Sequence, residues 1–139
     1  MGPLTTLLKL GATVFAIDID RPAVWRKLIA LTENSPGTLI FPVNTDCKGM
    51  TNAQLAESAG CNLLEQPAEI TNWLVEAAEE HAKGKRVTVG MYGDLDAALH
   101  VKLALGADIV MEGMSKRYTG SVGKPLRTIQ FVPIPCIFA

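Results

Sequence analysis

The chain alternates short apolar runs with stretches in which hydrophobic residues recur every three or four positions. Leu4, Leu7 and Leu8 give helical spacing over residues 3–10, and Gly11 stands where a left-handed residue would close that helix. Thr13 to Ile17 is β-prone and almost wholly apolar, which predicts a strand over 13–18 covered on both faces. A helix is predicted over 21–32, with Val24, Leu28 and Leu31 on one stripe and Trp25 and Ile29 beside it. Asp20 is its expected cap, and Pro22 fits its first turn. Ser35-Pro36-Gly37 breaks the chain, and Thr38 to Val43 continues as a strand that Pro42 should end early.

The second half continues the alternation. Asn44 to Met50 is a polar loop, and Thr51 to Ser58 a short helix closed by Gly60. Asn62-Leu63-Leu64 has the character of a brief strand. Pro67 opens a helix through Lys83, with Ile70, Trp73, Leu74 and Ala77 inward, Glu79 and Glu80 outward, and Gly84 at its end. A strand is expected over 86–91, a helix from an Asp94 cap to Leu105, a strand over 108–111, a polar loop over 115–124 and a last strand over 127–132. Leu8-Lys9-Leu10-Gly11-Ala12-Thr13-Val14 echoes Leu103-Ala104-Leu105-Gly106-Ala107-Asp108-Ile109-Val110, and both segments read as a helix end, a glycine cap and a strand start. Helices alternating with apolar strands predict one α/β domain over 1–139, a mostly parallel sheet with helices on both faces and right-handed crossovers.

Composition narrows the functional classes. With 139 residues, 48% hydrophobic and 19% charged, a packed core is expected. The net charge of −1 offers no basic excess for nucleic acid and no polybasic run for a membrane surface. No apolar run reaches the roughly 18 residues that span a bilayer. Cys47, Cys61 and Cys136 are odd in number and widely spaced, which favours a reducing, cytoplasmic or organellar compartment over a disulfide framework or a zinc site. The first ten residues lack the positive region of a secretory signal.

The stretch Gly11-Ala12-Thr13-Val14-Phe15-Ala16-Ile17-Asp18-Ile19-Asp20 resembles the second strand of NAD(P)-binding Rossmann-fold proteins, and most closely of short-chain dehydrogenases. In that family a glycine-alanine pair precedes an apolar strand, and an aspartate stands seven places after the glycine, as Asp18 stands after Gly11. Leu39 to Asp46 loosely resembles the third strand, so Asn44 or Asp46 would stand near the adenine. The resemblance implies a Rossmann-like fold, NAD as cofactor, and Asp18, Asp20, Arg21 and Asn44 as cofactor-binding residues. The firm part covers about a dozen residues.

The departures bear on activity. The chain has no glycine-rich phosphate turn and no Asn-Asn-Ala-Gly segment, and Tyr118 is separated from Lys124 by six positions rather than four. The resemblance therefore implies an oxidoreductase-related domain without intact catalytic machinery, and the catalytic residues are left unknown. The alternative is a non-catalytic structural or protein-interaction domain from a short-chain dehydrogenase-like ancestor, or a piece of a longer enzyme. In the family the first strand lies beside the second. Without it, the slot should be closed by a rearranged strand order or by self-association, with the apolar terminus 131–139 contributing.

Each candidate residue also has a plainer reading. Asp18 could accept both ribose hydroxyls and repel a 2′-phosphate, or be an ordinary strand-end carboxylate. Asp20 is first a helix cap, and Arg21 a solvated first-turn cation or a phosphate contact. Tyr92-Gly93-Asp94 comes after a strand and opens a helix, where α/β sheets bind ligands, yet Asp94 serves equally as a cap. His100 lies in an apolar helix and could be a base, or more plainly a satisfied, partly buried side chain. Glu112 at a strand end could join Asp18 and Asp94 around a cation, but the expected metal is none. Thr119 to Lys124 lacks phosphate-loop spacing, because Pro125 stands where a hydroxyl is required.

Overall fold

The computed structural model describes residues 2–82, 85–92, 95–122 and 127–130. The chain is mixed α/β and divides into two compact units, Met1–Asn62 and Leu63–Ala139.

In the first unit, α1 (Gly2–Lys9), β1 (Thr13–Phe15), α2 (Pro22–Glu33), β2 (Thr38–Ile40) and α3 (Asn52–Ser58) succeed one another. α1 ends where its glycine allows. Gly11 takes φ +78°, its N–H donates to the Leu8 carbonyl, and the Ala12 N–H donates to the Leu7 carbonyl. That pair of bonds closes the helix through a left-handed residue that costs glycine nothing. β1 and β2 run parallel, with Thr13 opposite Thr38 and Phe15 opposite Ile40. The helix between them makes this a strand–helix–strand unit.

Both strands are shorter than their apolar runs. β2 stops at Ile40, two residues before Pro42. β1 stops at Phe15, and Val14 to Ile17 are half-buried rather than covered. Trp25, Leu28 and Ile29 form the buried stripe of α2, so the inward face is centred beside the predicted Val24–Leu28–Leu31 line. Those residues, with Ala56 and Ala59, make one core cluster, and Leu4, Ala16, Leu39 and Phe41 pack against it. Because β1 Val14 is in register with β2 Leu39, residues Ala16, Leu39 and Phe41 share one sheet face. α1, α2 and α3 are therefore all on that face.

α3 is held by local chemistry. The Thr51 side chain accepts from the Gln54 N–H, and the Gln54 side chain accepts from the Thr51 N–H, a reciprocal capping box. Asp20 does not cap α2, contrary to expectation. The N-cap is Arg21, which makes no side-chain cap bond. The chain turns too tightly there, since the Arg21 N–H donates to the Ile19 carbonyl at 2.8 Å.

The second unit contains α4 (Pro67–Ala82), β3 (Thr88–Met91), α5 (Ala97–Val122) and β4 (Arg127–Gln130). β3 and β4 are parallel, with Thr88 opposite Arg127 and Met91 opposite Gln130. α4 buries Ile70, Val75, Ala77, Ala78 and Ala82, while Trp73 and Leu74 are half-buried.

The largest correction lies in α5. The expected strand over 108–111 is helix, and so is the expected loop from Ser115 as far as Val122. The buried residues Leu103, Ala107, Val110, Met114 and Tyr118 recur at helical spacing, and this stripe runs through the segment that an apolar triplet made look like a strand. Gly106 does not end the helix, because it is a contact point: a Cβ there would lie 2.6 Å from the Leu63 carbonyl oxygen. Gly113 is a second such point, where a Cβ would meet Thr71 Cγ2 at 2.4 Å. The brief strand expected over 62–64 is also absent; Leu63 to Glu65 form a turn that receives α5.

Candidate functional site

The predicted binding residues collect at the carboxyl end of the β1–β2 pair. The geometry comes from hydrogen-bond parity. The Thr38 N–H donates to the Ala12 carbonyl, and the Ala16 N–H donates to the Ile40 carbonyl, so even-numbered residues of β1 face β2. Beyond Ala16 and Ile40 the two chains separate. The segment Ser58–Cys61 enters between them: the Gly60 N–H donates to the Pro42 carbonyl at 3.0 Å, and the Cys61 N–H donates to the Asp18 carbonyl at 3.0 Å. Val43 and Ala59 form an isolated antiparallel bridge, and the Asn44 N–H donates to the Ser58 carbonyl.

Glycine makes this wedge possible. Gly60 is buried and takes φ +108°, and a Cβ there would lie 2.7 Å from Asp20 Cα, from the Ile19 carbonyl oxygen and from Trp25 Nε1. Trp25 Nε1 donates to the Ile19 carbonyl at 2.9 Å, so that carbonyl also anchors the core tryptophan. In the sequence, the 59–61 segment carries no clear signal of this role beyond the isolated Gly60.

The four residues predicted to bind a cofactor stand around the wedge. Asp18 is exposed, and its Oδ1 accepts from the Ile19 N–H at 2.8 Å. Asp20 and Arg21 are exposed two and three residues further on, in the same turn. Asn44 is exposed on the other side of the wedge, with Nδ2 3.5 Å from the Gly60 carbonyl oxygen. The structure thus brings Asp18, Asp20 and Arg21 onto one turn and places Asn44 at the same end of the sheet. Backbone occupies the space between the strands. Cys61 is beside the two aspartates. Burial first, and then the charges of Asp18 and Asp20, push its thiol up to about 11. At neutral pH it stays protonated and is a poor nucleophile.

A cavity of about 140 Å³ lies at the opposite end of the strands, between the last turns of α1 and α2. Thr5, Leu8, Lys9, Leu31, Asn34 and Ser35 line it. Nucleotide-sized sites are roughly 300–1,000 Å³ and sit at strand carboxyl ends, so this cavity fits neither in size nor in place.

The other candidates separate. Glu112 is not at a strand end: it lies on exposed α5 surface, ion-paired with Lys116 one turn on. The hydrogen bond and charge of Lys116 hold its carboxyl below the usual range. The strand-end position that would have let Glu112 share a cation with Asp18 does not exist. Asp94 and Lys124 lie outside the described residues. Among the described residues, no three His, Cys, Asp or Glu side chains gather in a metal-binding group. Tyr92 comes directly after β3 and is exposed, its ring folded over Gly90, where a Cβ would lie 2.7 Å from the hydroxyl. His100 is half-buried on α5.

Tyr118, expected in a loop, is 1% exposed inside α5 and donates to the Lys85 carbonyl at 2.7 Å. Burial first, then the charge of Glu79, raises its phenol above the ordinary value. Its oxygen is committed to the fold.

Among the described residues no helix is long and apolar enough to cross a membrane. A scan against protein-family models, a search of curated proteins and a search of solved structures each returned no match for this chain.

Proposed function

We propose that the first unit is a Rossmann-like, NAD-type dinucleotide-binding domain, related to oxidoreductases and lacking their catalytic groups. The observation that carries this reading is the placement of Asp18. It is an exposed carboxylate beyond the end of a parallel strand, seven residues after the glycine that closes α1, a helix that shares a sheet face with the next crossover helix. A carboxylate there can accept two ribose hydroxyls and disfavours a 2′-phosphate. Asp20 and Arg21 on the same turn, and Asn44 across the wedge, complete an adenosine-side surface. Tyr118, bonded to the Lys85 carbonyl, has no part in hydride transfer.

The second reading is a structural or protein-interaction domain, cytoplasmic and able to self-associate. The wedge favours it, because Gly60 and Cys61 spend their N–H groups on Pro42 and Asp18, in the space between the two strand ends. Calorimetry with NAD and NADP separates the two. Nucleotide binding requires NAD to bind more tightly than NADP, and Asp18→Ala to weaken NAD by about 1.5–3 kcal/mol through the lost charged acceptor. Equal affinity for the two cofactors, or an unaffected Asp18→Ala variant, leaves the interaction domain.

A further inference from the structure

Among the described residues, the large hydrophobic side chains left exposed fall in two places. Leu7 and Leu10 are at the end of α1, and the others lie between Tyr92 and Ile109, around and along the first half of α5. Val101, Leu105 and Ile109 are spaced four apart and share one helix face. Their exposures of 59%, 58% and 50% leave that face uncovered. It is opposite the stripe of Leu103, Ala107, Val110 and Met114 that α5 buries. Tyr92, Leu95 and Leu99 are exposed at the head of the same helix.

The end of β4 decides what can reach this face. β3 and β4 are parallel, and Gln130, the last residue of β4, stands opposite Met91, the last of β3. Paired strands are about 4.8 Å apart, so the chain leaves β4 beside the point where it leaves β3 for α5. Met91 is itself in one core cluster with Leu103 and Ala107. Residues 131–139 can extend over roughly 28 Å, while α5 rises only about 15 Å from Leu99 to Ile109.

The composition of 131–139 matches the face. Phe131, Val132, Ile134, Ile137 and Phe138 are apolar, and no residue of the segment is charged. Pro133 and Pro135 fix their own φ and bias Val132 and Ile134 toward extended backbone. In a polyproline-type run every third side chain shares a face, which here brings Phe131, Ile134 and Ile137 together over about 19 Å. A second copy of α5 is the poorer occupant. A strip about 15 Å by 10 Å falls far below the roughly 800 Å² per partner of a stable dimer.

We propose that residues 131–139 fold back over α5 of their own chain and cover Val101, Leu105 and Ile109 with Phe131, Ile134 and Ile137. The proposal holds whether or not a nucleotide binds.

Methyl NMR on the dilute full chain tests it. Nuclear Overhauser contacts are expected from Ile134 and Ile137 to Val101, Leu105 and Ile109. An isotope-filtered measurement on mixed labelled and unlabelled chains should show none of them. Leu105→Glu should abolish these contacts and keep the one between Met91 and Leu103 inside the core cluster. Ile134→Asp, which leaves α5 itself unaltered, should abolish the contacts of Ile137. Absence of the contacts in the dilute full chain overturns the proposal. So do contacts found only between chains, because a second copy then holds the face. Contacts of Ile137 at full strength in the Ile134→Asp variant overturn it as well.

Discussion

Leu10-Gly11-Ala12 and Leu105-Gly106-Ala107 are the same three residues in two different roles. At the first, glycine turns left-handed and ends α1. At the second, glycine sits inside α5, and the helix runs sixteen residues beyond it, to Val122. The space around each glycine differs accordingly. A Cβ on Gly11 would meet nothing within 4 Å, whereas on Gly106 it would strike the Leu63 carbonyl at 2.6 Å. One position needs glycine for its backbone angle and the other for its missing side chain. The residues downstream of each glycine decide which role it takes. Thr13 to Ile17 has a parallel partner in β2, while Ala107, Val110, Met114 and Tyr118 carry a helical stripe that needs burial.

The contrast between the two glycines breaks most forcefully two residues beyond each. Asp108→Pro removes an interior helix bond and should cost about 3 kcal/mol or more in chemical denaturation. A strand start at 108, as its echo of Thr13 suggests, would tolerate proline far better. Gly106→Ala should cost about 2 kcal/mol, because overpacking against a backbone carbonyl outweighs the gain in helix propensity. A stabilised Gly106→Ala variant would show that the contact with Leu63 yields freely.

Gly11→Ala should cost about 1 kcal/mol, the strain of a left-handed alanine with no clash added. Gly11→Asn should recover part of that loss. Tyr118→Phe should cost about 1 kcal/mol by orphaning the Lys85 carbonyl, a check that α5 stays ordered twelve residues past Gly106. The pH dependence has a definite sign. The folded phenol's pKa is raised, so its contribution is complete below the ordinary tyrosine value and fades as pH rises through the higher one. Thr13→Pro should have the smallest effect, within about 1 kcal/mol, since the Thr13 N–H points away from β2.

The elements whose signals are local were legible in the chain. Gly11 closes α1, Pro22 opens α2, Pro42 lies just past β2, and Pro67 opens α4. The Thr51/Gln54 pair sits at the start of α3 as a capping box should. The largest misreading arose where a distant contact decided, the smaller one at a tight local turn. Asp108-Ile109-Val110-Met111 looks like a strand until Leu63 and Thr71 are seen to receive Gly106 and Gly113. Asp20 looks like a cap until the tight turn at Ile19–Arg21 displaces it. Of the candidate site, Asp18, Asp20 and Arg21 were expected from the resemblance of the Gly11 to Asp20 stretch to a dinucleotide-binding strand, and their closeness on the chain puts them on one turn. The wedge was not legible, because its bonds join residues fourteen to forty-three positions apart and depend on a left-handed Gly60.

The bond from the Asn44 N–H to the Ser58 carbonyl has a consequence for how this unit can change length. It closes residues 45–57 into an excursion whose neck is fixed by the wedge and whose near side, 45–50, is exposed except for half-buried Met50. Lengthening a closed flexible loop is thermodynamically mild, about 0.6 kcal/mol for each doubling. The stretch 46–49 is therefore where this unit can accept inserted sequence while keeping β1, β2 and the turn that bears Asp18 in place. A one-residue insertion between Ala59 and Cys61 would instead shift the two wedge bonds out of phase and part the strand ends.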